Sequence, residues 1–221
     1  MSEFLYMINL KHYSESTGKN AERMAREFSN LNSKMKRNLR IALSTVDLHI
    51  CSEVKNAVSF MAQHVDPVSY GAYTGKISME SLMVMGISTS LLNHSENRQS
   101  RENIVETVKR SNKIDFDIVL CLESLREVEE YVDLHPAYIA YEPPELIGGE
   151  ISVSSARPEV IEKAARICNA NDVPLVVGAG IKNARDVEES YSLGARGILV
   201  ASGVVKANNP SFALNSLMTV P

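Results

Sequence analysis

The sequence predicts an α/β protein folded as a closed (β/α)₈ barrel, and three observations carry that prediction. Eight short apolar runs recur along the chain, and stretches of helical periodicity lie between them. Strands alternating with helices argue for parallel βαβ units. No linker, low-complexity tract or charge block divides the 221 residues, so one domain is expected over 1–221 although length alone allows one or two.

The expected strands cover 4–10, 39–43, 58–62, 88–92, 116–121, 138–141, 175–177 and 197–201. Helices are expected at 18–30, 101–111, 124–132, 155–171 and 184–193. Arg157-Pro158-Glu159 suits a first helical turn, where proline is tolerated and an acid complements the dipole. Asn171-Asp172-Val173-Pro174 reads as a helix stop before a strand. Eight units favour a closed barrel over an open flavodoxin-like or Rossmann sheet, and no GxGxxG follows the first run. The barrel is compact. Only 44–57 joins the second and third runs and only 122–137 joins the fifth and sixth, so outer helices there are expected to be short. Barrel side left exposed by such trimming is a physical reason to expect assembly.

Composition removes several function classes. Apolar residues make up 44% and charged residues 23%, ordinary globular values that exclude a disordered chain or a coiled-coil rod. The formal net charge of −4 gives no global field for nucleic acid. No run approaches ~18 apolar residues, so no membrane span is expected. The opening segment MSEFLYMINLKHYSES lacks the basic stretch and small-residue cleavage site of a secretory signal. Cys51, Cys121 and Cys168 are odd in number and contain no CxxC, which fits reduced thiols in a cytoplasmic protein.

In a barrel, chemistry gathers at the carboxyl ends of the strands. The first run ends in Asn9-Leu10-Lys11, and alternation places Asn9 and Lys11 on the same side, toward the barrel mouth. The fourth ends in Asn93-His94-Ser95-Glu96, where a helix N-terminus nearby would keep the imidazole neutral. The sixth ends in Glu142-Pro143-Pro144, with Gly148-Gly149 beyond, as a base beside a hinged lid would. The seventh and eighth end in Gly178-Ala179-Gly180 and Ala201-Ser202-Gly203, small residues that let backbone amides approach a phosphate. Each has an ordinary structural reading when taken alone. Together they point to proton transfer on a small phosphorylated substrate.

These residues resemble the triosephosphate isomerase family in its short archaeal form, a TIM barrel. The matching stretches are INLK (8–11), YGAYTGKIS (70–78), LLNHSENR (91–98), AYEPPELIGG (140–149), VGAGI (177–181) and LGARGILVASGVVKA (193–207). The resemblance implies Glu142 as catalytic base, His94 as neutral electrophile and Lys11 as the cation beside the developing oxyanion. Asn9 would line the pocket, and Glu96 would hold Lys11. Backbone groups around Ile147, Gly148, Gly180, Ala201, Ser202 and Gly203 would grip the phosphate. It further implies a three-carbon phosphate as substrate and no cofactor or metal. It also implies a homodimer or homotetramer, with Tyr70, Tyr73 and Thr74 facing a neighbour. One departure stands out: the family's lid usually ends in a Gly-Thr-Gly hinge, and this chain has Gly148-Gly149-Glu150. Two other readings remain at this point. One is an isomerase of a larger sugar or indole phosphate, and the other is a noncatalytic phosphate-binding barrel.

Overall fold

A computed structural model describes residues 3–54, 57–143 and 158–219. Eight parallel strands close into a barrel in sequence order: β1 (Leu5–Asn9), β2 (Asn38–Leu43), β3 (Ser59–Ala62), β4 (Thr89–Leu92), β5 (Asp117–Leu122), β6 (Tyr138–Tyr141), β7 (Leu175–Val177) and β8 (Gly197–Val200). β8 pairs back onto β1, so no strand edge is left open. Among the described residues the helices are α1 (Lys19–Met35), α2 (Ile50–Glu53), α3 (Met79–Val84), α4 (Arg101–Ser111), α5 (Leu125–Tyr131), α6 (Pro158–Ala170), α7 (Ala184–Ser192), α8 (Ser202–Val205) and α9 (Pro210–Leu217).

The strands read as unbroken apolar runs because both of their faces are covered. Met7, Ala42, Met61, Leu91, Val119, Ala140, Val176 and Leu199 point inward and fill the barrel. The alternate residues point outward beneath the helices: Ile8, Ile41 and Ile118 meet Met24, Phe28, Ile104 and Val108 in one continuous core. At roughly 1.5–3 kcal/mol per fully buried large apolar side chain, this outer shell supplies much of the driving force for closure. The strand starts are plugged by Arg40. Its guanidinium donates to Thr89 Oγ1 at 3.0 Å and Asp117 Oδ2 at 3.1 Å, and stacks on the Tyr138 ring at 5.3 Å.

Most expected elements are present, with shifted ends. α1 runs to Met35 rather than Asn30. Asn32 is tolerated inside it because its buried amide bonds the carbonyls of Arg37 and Ala57 and accepts from the Arg37 amide. The chain leaves the helix at Lys36 in a left-handed conformation, φ 54°. Among the described residues the connection after β2 carries one 3-10 turn (Thr45–Asp47) and the four-residue α2, and that after β5 the seven-residue α5 and one turn, as its length required. Four helices fall outside the expected set: α2, α3, α8 and α9. Three have six residues or fewer, too short for a periodic signal. The fourth announces itself by an Asn209 cap and Pro210 at its first position. The expected lid, with the Gly148-Gly149-Glu150 hinge, lies outside the described residues, as do 155–157 of the helix read at 155–171.

Barrel closure depends on Gly197 at the start of β8. A Cβ there would lie 2.7 Å from the Leu5 carbonyl oxygen and 3.0 Å from Leu5 Cβ, both fixed by the β1–β8 pairing. Gly197→Ala is expected to cost about 1–3 kcal/mol in urea unfolding, while the far-ultraviolet circular dichroism of the folded protein stays unchanged.

Candidate active site

A cavity of about 190 Å³, as bounded by the described residues, opens at the carboxyl ends of β1, β4, β6, β7 and β8. Asn9, Lys11, His94 and Glu142 occupy one side, and Gly180, Ala201, Ser202 and Gly203 occupy the other. Ile147 and Gly148 lie outside the described residues.

Lys11 reaches the mouth by a route other than strand alternation. β1 stops at Asn9, and Lys11 adopts a left-handed backbone, φ 51°. Its amide donates to Asn9 Oδ1 at 3.0 Å, and its ammonium meets Glu96 Oε1 at 2.7 Å. Gln63 completes this turn: its Nε2 donates to Asn9 Oδ1 at 3.1 Å and to the Lys11 carbonyl at 3.3 Å. Gln63 is absent from the residues the sequence singles out, yet it stands two residues after the inward-facing Met61 at the end of β3. Lys182, another wall residue of the cavity, is absent from them too.

His94 differs from expectation in what holds it. α4 begins only at Arg101, capped by Ser100, seven residues beyond His94. The amide that holds the ring is that of Glu96 in the tight turn, which donates to Nδ1 at 3.2 Å. An Nδ1 that accepts places the ring proton on Nε2. Burial, then the Lys11 ammonium, lowers the imidazole pKa below its ordinary value, and the Glu96 carboxylate only partly offsets them. The ring is therefore neutral, with its N–H facing the cavity.

Glu142 follows β6 and is 5% exposed. Its amide is held by the Leu122 carbonyl at 2.8 Å, and its carboxyl lies over Gly178. The Cys121 thiol, near the end of β5, lies against the carboxyl and favours its charged form. Burial pushes the carboxyl up to about 7, against the opposing pull of Lys11 and the thiol. Oε2 has no hydrogen-bond partner among the described residues and stands 3.8 Å from His94 Nε2. That distance is beyond a hydrogen bond. A desolvated carboxyl and a neutral N–H donor thus face each other across 3.8 Å.

The opposite wall is backbone. Gly180 takes φ 71°, a conformation that favours glycine. Ser202 and Gly203 open α8, and the first amides of a helix have no carbonyl partner within it. Nothing but the Ile181 carbonyl oxygen, at 3.6 Å, crowds the position of a Cβ on Gly203. This wall presents N–H groups to an anion without a side chain in the way. Among the described residues no group of three or more His, Cys, Asp or Glu could hold a metal ion.

Fold and site define a class: a parallel barrel whose mouth sets a buried carboxyl, a neutral imidazole and an ammonium against a wall of glycine-rich backbone. The model of the triosephosphate isomerase family matches residues 4–218. The triosephosphate isomerase of Thermoplasma volcanium is 50% identical over 97% of this chain and 99% of that protein. Those of Archaeoglobus fulgidus and Methanothermus fervidus are 38% and 36% identical over at least 96% of both chains in each comparison. The chain belongs to the triosephosphate isomerase family.

The contact between Glu142 and Gly178 yields a test. A Cβ on residue 178 would fall 2.4 Å from Glu142 Cγ and 2.7 Å from Oε1. Gly178→Ala must displace the carboxylate, and a shift of about 1 Å in a reacting group can cost on the order of 100-fold. Steady-state kinetics is expected to show kcat lowered by about that factor, with the melting temperature little changed.

Proposed function

We propose that this protein interconverts dihydroxyacetone phosphate and D-glyceraldehyde 3-phosphate, the step shared by glycolysis and gluconeogenesis. The observation that carries the reading is the approach of Glu142 Oε2 to His94 Nε2 at 3.8 Å, within the cavity that also holds Lys11. The ionised Glu142 takes a proton from the carbon next to the substrate carbonyl. The Nε2–H of His94 donates to the carbonyl oxygen as charge develops there, and the Lys11 ammonium offsets the enediolate's negative charge. His94 passes its Nε2 proton to that oxygen and takes the hydroxyl proton from the oxygen next to it, while Glu142 returns its proton to the former carbonyl carbon, so both groups end as they began. Neutrality of His94 matters because an imidazole N–H is matched in acidity to an enediol, whereas an imidazolium is too strong an acid to cycle. Triosephosphate isomerase is itself the established example of a glutamate base paired with a neutral histidine.

The amides of Gly180, Ser202 and Gly203 are assigned to the phosphate, with Ala201 shaping the turn and Lys182 adding positive charge. Ile147 and Gly148 are assigned to the same grip through the family resemblance. Asn9 is assigned to lining the pocket and holding the Lys11 turn, and Glu96 to holding Lys11. The volume of about 190 Å³ is below the ~300–1,000 Å³ of pockets for drug-sized ligands, which favours a three-carbon phosphate over a larger sugar phosphate. A noncatalytic binding barrel has no use for a desolvated carboxylate poised opposite a neutral imidazole.

The chain is further proposed to act as a single catalytic domain in the cytoplasm, assembled as a homodimer or homotetramer. Free Cys51, Cys121 and Cys168 fit that compartment. Among the described residues no helix is long and apolar enough to cross a membrane. Support for assembly comes from Tyr70 and Tyr73, 66% and 50% exposed on the YGAYTGKIS loop, and from exposed Val46, Met83, Val84 and Met85. A depression of about 340 Å³ beside Lys11, walled by Thr45, Gln63, His64 and Asn97, could receive such a loop from a second copy.

Three measurements check these assignments. Glu142→Asp retracts the carboxylate and is expected to lower kcat on dihydroxyacetone phosphate by about 100-fold or more with KM nearly unchanged; wild-type turnover in that variant removes Glu142 from the base role. Because the base must be ionised, kcat/KM is expected to rise with pH to a plateau above about 7. A rise centred near the ordinary ~4.3 of glutamate would show that the free carboxyl is solvated. Sedimentation equilibrium is expected to give two or four chains, and Tyr73→Glu to shift the assembly toward monomer.

A further inference from the structure

His94 follows a residue whose side chain takes no part in the proton transfers. Asn93 is 1% exposed and adopts a left-handed backbone, φ 64°. Glycine and asparagine are the residues that accept this conformation most readily, so the backbone alone does not select asparagine. The amide makes full use of its position. Its Oδ1 accepts from the Gln99 N–H at 2.9 Å, six residues ahead, and its Nδ2 donates to the Cys121 carbonyl on β5 at 2.8 Å.

We propose that Asn93 is a positioning residue for His94, closing residues 93–99 into a rigid turn and pinning that turn to β5. The first bond fixes where the turn ends. Within it, the Asn97 amide bonds the His94 carbonyl at 2.8 Å, and the Glu96 amide bonds Nδ1 and so sets the tautomer. If the turn opens, the Glu96 amide swings away and both ring nitrogens become equivalent candidates for the proton. The second bond fixes the turn against the strand that also places the base. The residue after Cys121, Leu122, accepts from the Glu142 amide at 2.8 Å. One buried amide therefore ties the electrophile's turn to the support of the base, and the gap between His94 and Glu142 is set through β5.

This assignment rests on the isomerase reading of the site, so its test includes readouts that need no turnover. Asn93→Gly keeps the left-handed backbone and deletes both side-chain bonds. It is expected to lower kcat by about tenfold or more with KM within about twofold, because a misplaced electrophile weakens transition-state contacts before substrate grip. The ring ¹⁵N signals of His94 are expected to show a single Nε2–H tautomer in the wild type and mixed tautomers in the variant. Wild-type kcat and an unchanged tautomer in folded Asn93→Gly would overturn the proposal, leaving Asn93 as a tolerant backbone residue only. Should the variant fail to fold, amide exchange in the wild type decides. The Gln99 N–H is expected to be strongly protected, and exchange at the rate of an open loop would overturn the clamp. Absence of isomerase turnover in the wild type would sink the function instead, and the tautomer comparison would still judge Asn93.

Discussion

Closure of eight parallel strands is the constraint from which the rest follows. Parallel pairing sends every strand the same way, and joining β8 to β1 bends the row into a ring, so all carboxyl ends meet on one rim. Residues as distant in sequence as Asn9, His94, Glu142 and Ser202 become neighbours without any long-range contact selected for each pair. The opposite rim carries none of that chemistry. There Arg40 directs its donors to Thr89, Asp117 and Tyr138, tying β2 to β4, β5 and β6. Placing stability at one end and reactivity at the other lets the two be adjusted separately.

At the reactive rim, burial acts on two groups in opposite directions. It disfavours charge on whichever group it covers, so it raises the Glu142 carboxyl and lowers the His94 imidazole. Lys11 opposes the first shift and reinforces the second. The result is a carboxyl that ionises near neutrality facing a ring that stays uncharged. No single neighbour produces this; the apolar interior does, with the cation deciding which group keeps its charge. Glu96 serves on both sides, its carboxylate on Lys11 and its amide on His94.

Much of this was legible in the chain and some was not. The eight strands announced themselves as apolar runs because both faces are buried, and their order followed from the alternation with helices. The polar residues at strand ends were legible for the same reason: polarity directly after an apolar run marks the rim. Backbone conformation was hidden. Lys11 faces the mouth through a left-handed turn that alternation does not encode, and His94 is held by the amide of a neighbour two residues on rather than by a helix. Supporting side chains were hidden as well. Gln63 and Asn93 look like ordinary polar residues until the ring brings β1 to β3 and β4 to β5. Helices of four to six residues carry too few periods to be read, as with α2, α3 and α8.

The close approach of Glu142 to Gly178 has a consequence for how this site can vary. The two residues directly follow neighbouring strands and share one volume: the carboxylate fills the space where any side chain at 178 would begin. Their substitutions are therefore not independent. A shorter acid at 142 vacates the space that a methyl group at 178 needs, so the combined cost of both changes differs from the sum of their separate costs. Enlarging residue 178 while Glu142 stays in place displaces the carboxylate, which keeps its neighbour small by occupying its place.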